Sequence, residues 1–250
     1  MRSSILRILT LTGRNIKEIL RDPLSFVFTL GLPLVMEVLF YFVFHNMTAQ
    51  FEMKYLAPGL VVFSQSFLAL FVGILISTDR NTSFLTRLYV SKAKSFEFVI
   101  SYGLAIMPMI AIQSILFFIV GGIIDSSIFG TGMIYAILIS FVTSQFYIAT
   151  GILLGSICSE KAVGGVSSIV IAGQSVLSGM WFPIDGLGKG ILTFMNVLPF
   201  RNATTLVQNA MNGIGNIFDD FCLPLIIVIA YTIVVFVVAV LVFGHKMKAK

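Results

Sequence analysis

Charge is scarce in this sequence, and the scarcity excludes a soluble domain. Only 11% of the 250 residues are charged and 58% are hydrophobic, whereas an average globular protein has about 25% charged residues. The sixteen basic and eleven acidic residues are gathered into short intervals. The apolar stretches between them therefore have no charged exterior, and the chain is predicted to be an integral membrane protein.

Groups that perform catalysis are also rare. The two histidines, His45 and His245, fall at opposite faces of the predicted membrane, and no Gly-x-Ser-x-Gly occurs, so a Ser-His hydrolase is excluded. No predicted span contains two acidic residues, and the cysteines Cys158 and Cys222 fall on opposite sides without metal-ligand spacing. We therefore expect this chain to have no catalytic, cofactor-binding or metal-binding residues.

Six apolar stretches are each close to the roughly 20 residues with which a helix crosses a ~30 Å hydrocarbon core. They are residues 24–44, 56–77, 98–120, 132–154, 163–182 and 223–244. None alternates polar and apolar residues as the strands of a membrane barrel do. The predicted fold class is all-α, with six transmembrane helices in a single domain over residues 1–250.

Orientation follows from the basic residues. Thirteen of them fall on one side of the predicted membrane, and only Lys54, Lys189 and Arg201 fall on the other. The positive-inside rule then predicts that both termini are cytoplasmic. The net charge of +5 is explained by this topology and by contact with anionic lipid headgroups, so no nucleic-acid partner is expected.

Two cytoplasmic segments have apolar faces. The first precedes the first span and is predicted to be an interfacial helix, with apolar residues on one side and arginines meeting phosphates on another. Its apolar side comprises Ile5, Leu9, Ile16, Ile19 and Leu20, and its arginines are Arg7, Arg14 and Arg21. The second segment is the loop 78–97, where Phe84, Leu85, Leu88 and Tyr89 have helical spacing. The alternative for the first segment is a generic juxtamembrane anchor, and the apolar face of the loop could rest on lipid or dock in a groove of a soluble protein.

Polar residues inside the spans are few. Glu37 is the acidic residue of the span interiors, and it either faces a substrate path or pairs with a neighbouring helix. Each of the four middle spans has one glutamine, serving either helix packing or a translocation surface. These are Gln65, Gln113, Gln145 and Gln174. Small residues, including Gly151 and Gly155, favour close packing within the chain.

The sequence "GLGKG" at residues 186–190 resembles a phosphate-binding loop but lacks two of the residues that such a loop requires. Pro183 occupies the position of the first glycine, and Gly190 replaces the Ser or Thr that would hold magnesium. We predict instead a hinge followed by two short amphipathic helices, the first ended by Pro199. Because they are too short to cross twice, they are expected to form a re-entrant or interfacial hairpin on the outer side. Its marker residues are Trp181, Phe182, Pro183, Phe194 and Pro199.

Three segments of the sequence indicate a family. The segment "LSGMWFPIDGLGKGILTFMNVLPFRNATTLVQNAM" and the entry "EILRDPLSFVFTLGLPLV", with Arg21-Asp22-Pro23 and Pro33, resemble permease subunits of type-2 ATP-binding-cassette exporters. The segment "RNTSFLTRLYVSKAKSFEF" lies where that family has its coupling loop. The resemblance covers essentially the whole chain.

The resemblance implies partners and a function. It implies a cytoplasmic ATP-binding subunit that holds ATP and Mg, a second permease copy or a paralogue, and surrounding lipids in a bacterial-type plasma membrane. The N-terminal helix and first loop would dock on the ATPase. The implied coupling residues are Arg14, Arg21, Phe84, Leu85, Arg87, Leu88 and Tyr89.

The expected function is export of an amphipathic or lipid-like compound, such as an antibiotic, peptide or glycolipid, with a possible outcome in antibiotic or multidrug resistance. The alternatives are a non-transporting scaffold or immunity protein and, more distantly, a secondary carrier.

Overall fold

A computed structural model describes residues 2–23, 27–81 and 94–248, and these residues contain helices and turns but no strand. The prediction of an all-α chain is confirmed. The α-helices are α1 (Arg2–Ile19), α2 (Leu32–Phe44), α3 (Met53–Asn81), α4 (Ser95–Ile124), α5 (Thr131–Ile157), α6 (Glu160–Leu177), α7 (Lys189–Val197), α8 (Pro199–Asn212) and α9 (Leu223–Lys248).

Within the described residues, five stretches are long and apolar enough to cross a membrane. They are Val27–Phe44, Met53–Arg80, Ser95–Ile124, Thr131–Ile157 and Phe218–His245. They coincide with the first four predicted spans and the sixth. The first and last begin with π-helical turns, Val27–Gly31 and Phe218–Cys222, which lead into α2 and α9.

The predicted fifth span corresponds to α6, which has 18 residues with Glu160 and Lys161 at its start and is not among those five stretches. A topology of six spans therefore stays a prediction. The predicted end of the fifth span at residue 182 is wrong, because α6 ends at Leu177. Gly179 follows with φ of 73°, a left-handed conformation in which a helix cannot continue.

The centre of the bundle is α3, which is buried along most of its length and packs against α5, α6 and α8. Two glycines bring α3 and α5 together. A methyl group at Gly151 would lie 2.7 Å from the carbonyl oxygen of Ala69, and one at Gly155 would lie 2.7 Å from that of Gly73. The predicted close packing of these small residues within the chain is confirmed, and only glycine permits it here.

The outer faces of α2 and α9 are apolar and exposed. Val35 and Phe42 on α2 are each 65% exposed, and Leu241 on α9 is 66% exposed. Large exposed apolar surfaces of this kind belong against lipid or another protein. On α6, methyl groups at Gly164 and Gly165 would meet nothing within 4 Å, so these two glycines, unlike Gly151, leave an open surface.

The two short helices predicted after residue 183 are confirmed as α7 and α8. Pro199 separates them and is the first residue of α8, where its missing N–H is not needed. The amide of Asn202 donates to the carbonyls of Asn196 (2.8 Å) and Leu198 (2.7 Å), which fixes the joint between the helices. Because α8 packs against α3, α5 and α9, it is part of the core of the bundle, whereas most residues of α7 are exposed.

Candidate coupling site and translocation path

Three helices meet at the carboxylate of Asp79 near the C-terminus of α3. Arg14 of α1 donates to its two oxygens at 2.5 and 2.6 Å, and the hydroxyl of Tyr102 of α4 donates to Oδ2 at 2.5 Å. Asp79 and Tyr102 are each 1% exposed. Since bidentate, charge-assisted bonds are among the strongest hydrogen bonds in proteins, this site fixes α1 against both spans.

Burial and neighbouring charges shift the pKa values of Arg14 and Glu18 on α1. Burial lowers the pKa of Arg14, but its hydrogen bonds to Asp79 and the negative charge of Asp79 outweigh this effect, so the pKa lies above its ordinary value. Arg14 also lies 2.6 Å from Glu18 one turn further along α1. Burial, and then the charge of Asp79, raise the pKa of Glu18. Arg14 therefore remains a cation between two acidic side chains.

A second ion pair holds α1 two turns away. The guanidinium of Arg7 donates to both oxygens of Glu97, at 3.0 Å from Nε and 2.7 Å from Nη2. The hydrogen bond to Glu97 raises the pKa of Arg7. Glu97 is fully buried and also accepts from the backbone N–H of Lys94 at 3.1 Å, at the start of α4. The pairs at Arg7 and Arg14 hold α1 at two points along its length.

The expectation that the arginines of α1 meet phosphates is wrong for Arg7 and Arg14, which bind carboxylates instead. Arg21 is exposed. Sequence reasoning missed the acidic partners Asp79 and Glu97. One signal was available: both acidic residues lie at span ends that flank the loop between α3 and α4, where two arginines at heptad spacing can reach them.

The predicted apolar side of α1 is divided in the structure. Ile16 and Ile19 pack into the core beside α3 and α4, whereas Ile5 and Leu9 are exposed by 55% and 58%. Leu6, next to them, is 61% exposed. One edge of α1 is thus attached to the bundle, and an apolar edge near its N-terminus is left open.

An open groove of about 840 Å³ lies between α1 and α3. Its apolar wall on α3 is formed by Phe71, Ile74 and Leu75, and the facing side is lined by residues of α1 and by Arg21 and Asp22 just beyond that helix. The groove therefore combines an apolar wall with charged side chains of both signs. Arg21, predicted as a coupling residue, lies at this groove rather than at the buried pairs.

The remaining predicted coupling residues, Phe84, Leu85, Arg87, Leu88 and Tyr89, lie outside the described residues. The start of their loop is helical, because α3 continues to Asn81. Arg80 donates to the carbonyls of Gly155 at 2.7 Å and Cys158 at 3.1 Å. It thereby satisfies carbonyls at the C-terminus of α5, which have no partner within their own helix.

Two of the predicted path glutamines join helices. Gln65 of α3 donates to the carbonyl of Ser140 at 2.9 Å and accepts from the hydroxyl of Thr143 at 2.9 Å, both on α5. Gln174 of α6 accepts from Tyr147 of α5 at 2.5 Å and donates to Thr204 of α8 at 2.9 Å. Both amides thus form the interhelical bonds of the packing alternative.

The other two glutamines have different surroundings. Gln113 of α4 is fully buried, and its amide forms no hydrogen bond with the described residues. Gln145 of α5 is partly exposed in a groove between α4, α5 and α9 and donates to the carbonyl of Phe141 in its own helix at 2.8 Å. A role for either residue in translocation stays a prediction.

Glu37 of α2 is fully buried, and neither carboxyl oxygen has a hydrogen-bond partner among the described residues. Its surroundings are apolar. A methyl group at Gly121 of α4 would lie 3.1 Å from Oε1 of Glu37 and 3.1 Å from the sulfur of Met53. Glu37 thus packs against α4 without a hydrogen bond to the described residues, and both alternatives, pairing with a neighbouring helix and a role in a substrate path, stay predictions.

The marker residues of the outer hairpin separate into two groups. Trp181 and Phe182 are half-buried just beyond α6, and the indole N–H of Trp181 donates to Ser175 at 3.1 Å. Pro183 and Phe194 are exposed, whereas Pro199 is buried. The left-handed turn of this region lies at Gly179, ahead of the "GLGKG" sequence that was expected to form the hinge.

Long apolar helices around a buried central helix, with an amphipathic helix fixed to two span ends, define a multi-pass helical membrane protein. The family model for the ABC-2 type transporter matches residues 7–212, and the chain belongs to that family. None of the curated proteins compared with the chain matches it. The family supplies the membrane component of ABC transporters, which works with an ATP-binding subunit.

Proposed function

We propose that the chain is the membrane-spanning subunit of an exporter driven by ATP, which a separate cytoplasmic subunit binds with Mg²⁺ and hydrolyses. The substrate is an amphipathic or lipid-like compound, such as an antibiotic, peptide or glycolipid, that leaves the cytoplasm or the inner leaflet. The observation that carries this proposal is the attachment of α1 to α3 and α4 by the Arg14–Asp79 and Arg7–Glu97 pairs.

This attachment provides a way to transmit force. An ATPase that binds the open apolar edge of α1, at Ile5, Leu6 and Leu9, moves a helix that the two ion pairs join to the spans. Since α3 contacts α5, α6 and α8, a displacement of the end of α3 also displaces the helices packed against it. Arg21 and the loop residues between α3 and α4 contribute further contacts to the ATPase.

A second copy of the chain, or a paralogue, completes the transporter. The open face of α6 at Gly164 and Gly165 supports this assembly, because two helices with small residues approach closely in a membrane. Lipid covers the remaining apolar surface. We assign the complex to a bacterial-type plasma membrane with both termini in the cytoplasm, the outer hairpin at the exit end, and drug or antibiotic resistance as the physiological outcome.

The first experiment tests the ATPase partner. The tagged chain is purified from native membranes after mild crosslinking, and co-purifying proteins are identified by mass spectrometry. A nucleotide-binding protein is expected. Leu9→Glu, on the open edge of α1, should reduce its recovery, whereas Met47→Glu, also at an exposed position but at the other end of the spans, should not. If no nucleotide-binding protein is recovered, the exporter has no source of energy and the proposal fails.

The second experiment separates the alternatives. The chain and its ATPase are reconstituted in proteoliposomes, and hydrolysis is measured with and without amphipathic compounds. An exporter gives substrate-stimulated hydrolysis and ATP-dependent flux. Hydrolysis without stimulation indicates a scaffold or immunity protein, and flux driven by an ion gradient without ATP indicates a secondary carrier.

A further inference from the structure

The buried carboxyl of Glu37 differs from those at the other end of the bundle. Asp79 and Glu97 are equally buried, but each binds an arginine. Glu37 faces Gly121 and Met53 and has no hydrogen-bond partner among the described residues. Burial of a carboxyl without a partner is unfavourable. A ligand that supplied a positive charge would satisfy this group.

An open apolar cleft lies on the exposed side of α2, and Glu37 is not among the residues that line it. It has a volume of about 400 Å³, is open, and lies between α2 and α4. Its walls include Leu34 and Val38, which flank Glu37 in the sequence, and Val120, which precedes Gly121. Because Gly121 has no side chain and α2 is little buried by the other helices, separation of α2 from α4 is the movement that would give a molecule in this cleft access to the carboxyl.

Aromatic rings lie one turn beyond Glu37 on the inward side of α2. The ring of Phe40 is perpendicular to that of Trp181 with 4.9 Å between centroids, and lies 6.1 Å from Phe51. Trp181 in turn lies 5.8 Å from Phe63 of α3. Residues three apart on a helix are neighbours, so this aromatic cluster adjoins Glu37. The faces of such rings attract organic cations.

We propose that Glu37 and the aromatic cluster of Phe40, Phe51, Phe63 and Trp181 form a binding site for an amphipathic cation, which enters from the lipid through the cleft between α2 and α4. The apolar part of the ligand contacts the aromatic rings, and its positive charge is balanced by the Glu37 carboxylate. This inference rests on the proposed function for its role in transport, since it names the charge class of the exported substrate, but binding itself is testable without the ATPase.

The single tryptophan of the chain, Trp181, reports on this site. The full chain in lipid nanodiscs is titrated with tetraphenylphosphonium and, separately, with tetraphenylborate, which has a similar shape and the opposite charge. A saturable change in Trp181 fluorescence is expected with the cation only. Glu37→Gln should weaken the apparent affinity at least about tenfold. Asp219→Asn, which removes an exposed acidic group near the start of α9, should leave it unchanged.

A second variant keeps the test decisive if Glu37→Gln does not fold. Phe40→Leu retains an apolar side chain but removes the ring beside Trp181, and should weaken binding of the cation about threefold. Phe28→Leu, at an exposed position before α2, is its control. The inference is overturned if both ions bind alike, or if the affinity is unchanged in every folded variant of Glu37 and Phe40.

Failure of this inference is distinguishable from failure of the proposed function. If the cation binds at Glu37 but no amphipathic compound stimulates hydrolysis or flux in proteoliposomes, the site stands and the exporter proposal fails. If other amphipathic compounds stimulate hydrolysis while Glu37→Gln binds the cation normally, the exporter proposal stands and the site is wrong.

Discussion

Arg14 binds both carboxylate oxygens of Asp79, a residue 65 positions further along the chain, with N–O distances of 2.5 and 2.6 Å. The pair joins an amphipathic helix to the most deeply buried span of the bundle. Asp79 is almost fully buried, whereas the side chain of Arg14 is 31% exposed. The carboxylate therefore depends on this arginine and on Tyr102 for its stabilisation.

The first prediction concerns this carboxylate. Asp79→Asn removes the negative charge and leaves Arg14 half-buried without its main partner. We expect the free energy of unfolding to fall by roughly 2–4 kcal/mol, measured by thermal or denaturant unfolding in detergent. Tyr102→Phe, which removes one hydrogen bond to the same oxygen, should cost about 1 kcal/mol.

Arg21→Ala is the control for that series, because Arg21 is an exposed residue just beyond the same helix. Its unfolding should match that of the unsubstituted chain within about 0.5 kcal/mol. If Arg21 contacts the ATPase as predicted, this variant will instead lower the hydrolysis stimulated by substrate. An Asp79→Asn protein as stable as the original would show that the pair does not hold α1 in place.

The second prediction concerns the contact between α3 and α5. A methyl group at Gly155 would lie 2.7 Å from a backbone oxygen of Gly73, and backbone cannot rotate away. Gly155→Ala should therefore destabilise the chain by roughly 1–3 kcal/mol. Gly165→Ala, on the open face of α6, should be neutral or stabilise the detergent-solubilised chain by up to about 1 kcal/mol. Equal effects at the two positions would contradict the close approach.

The third prediction tests the hydrogen bonds from Tyr147 to Gln174 and from Gln174 to Thr204, which connect α5 and α6 to the hairpin of α7 and α8. Tyr147→Phe leaves the buried carbonyl oxygen of Gln174 without its donor, and should cost about 1 kcal/mol of unfolding free energy. Tyr135→Phe, at a 59% exposed position on the same helix, should change nothing. Limited proteolysis within residues 183–199 should become faster in Tyr147→Phe only. Unchanged proteolysis and stability would mean that this bond does not hold the hairpin.

The fourth prediction decides whether α6 crosses the membrane. Cys158 precedes α6 and Cys222 precedes α9, both as free thiols. If α6 spans, the thiols lie on opposite sides, and a membrane-impermeant maleimide added to intact cells should label Cys222 and leave Cys158 unlabelled until the membrane is permeabilised. Cys158→Ser and Cys222→Ser assign the two signals. Labelling of both thiols from the same side would reduce the topology to five spans.

Apolar length predicted most of the fold, because a helix of about 20 apolar residues has few alternatives in lipid. The helices α3, α4 and α5 begin and end within a few residues of the predicted spans. The end of α6 was missed because Trp181 and Phe182 extend the apolar run past Gly179, where the backbone turns. A hydropathy profile contains no information on backbone dihedral angles, so it does not show that φ is positive at Gly179.

The candidate site was less predictable. The apolar spacing of α1 predicted a helix, but its arginines were expected to meet lipid phosphates because a span pattern does not show which acidic residues are in reach. Asp79 and Glu97 lie at the ends of different spans, and only the packing of α4 beside α3 brings them to Arg14 and Arg7. The hydrogen-bond partners of Gln65 and Gln174 were not predictable for the same reason, because they belong to other helices.

The contact of α3 and α5 through Gly151 and Gly155 has a consequence for how one copy can carry cargo. The middle of the bundle is solid, with backbone against backbone, so a molecule the size of a lipid or drug has no room to pass through it without separating the two most tightly packed helices. In the proposed transporter the substrate path therefore lies at the perimeter of the bundle, and this chain forms one side of it.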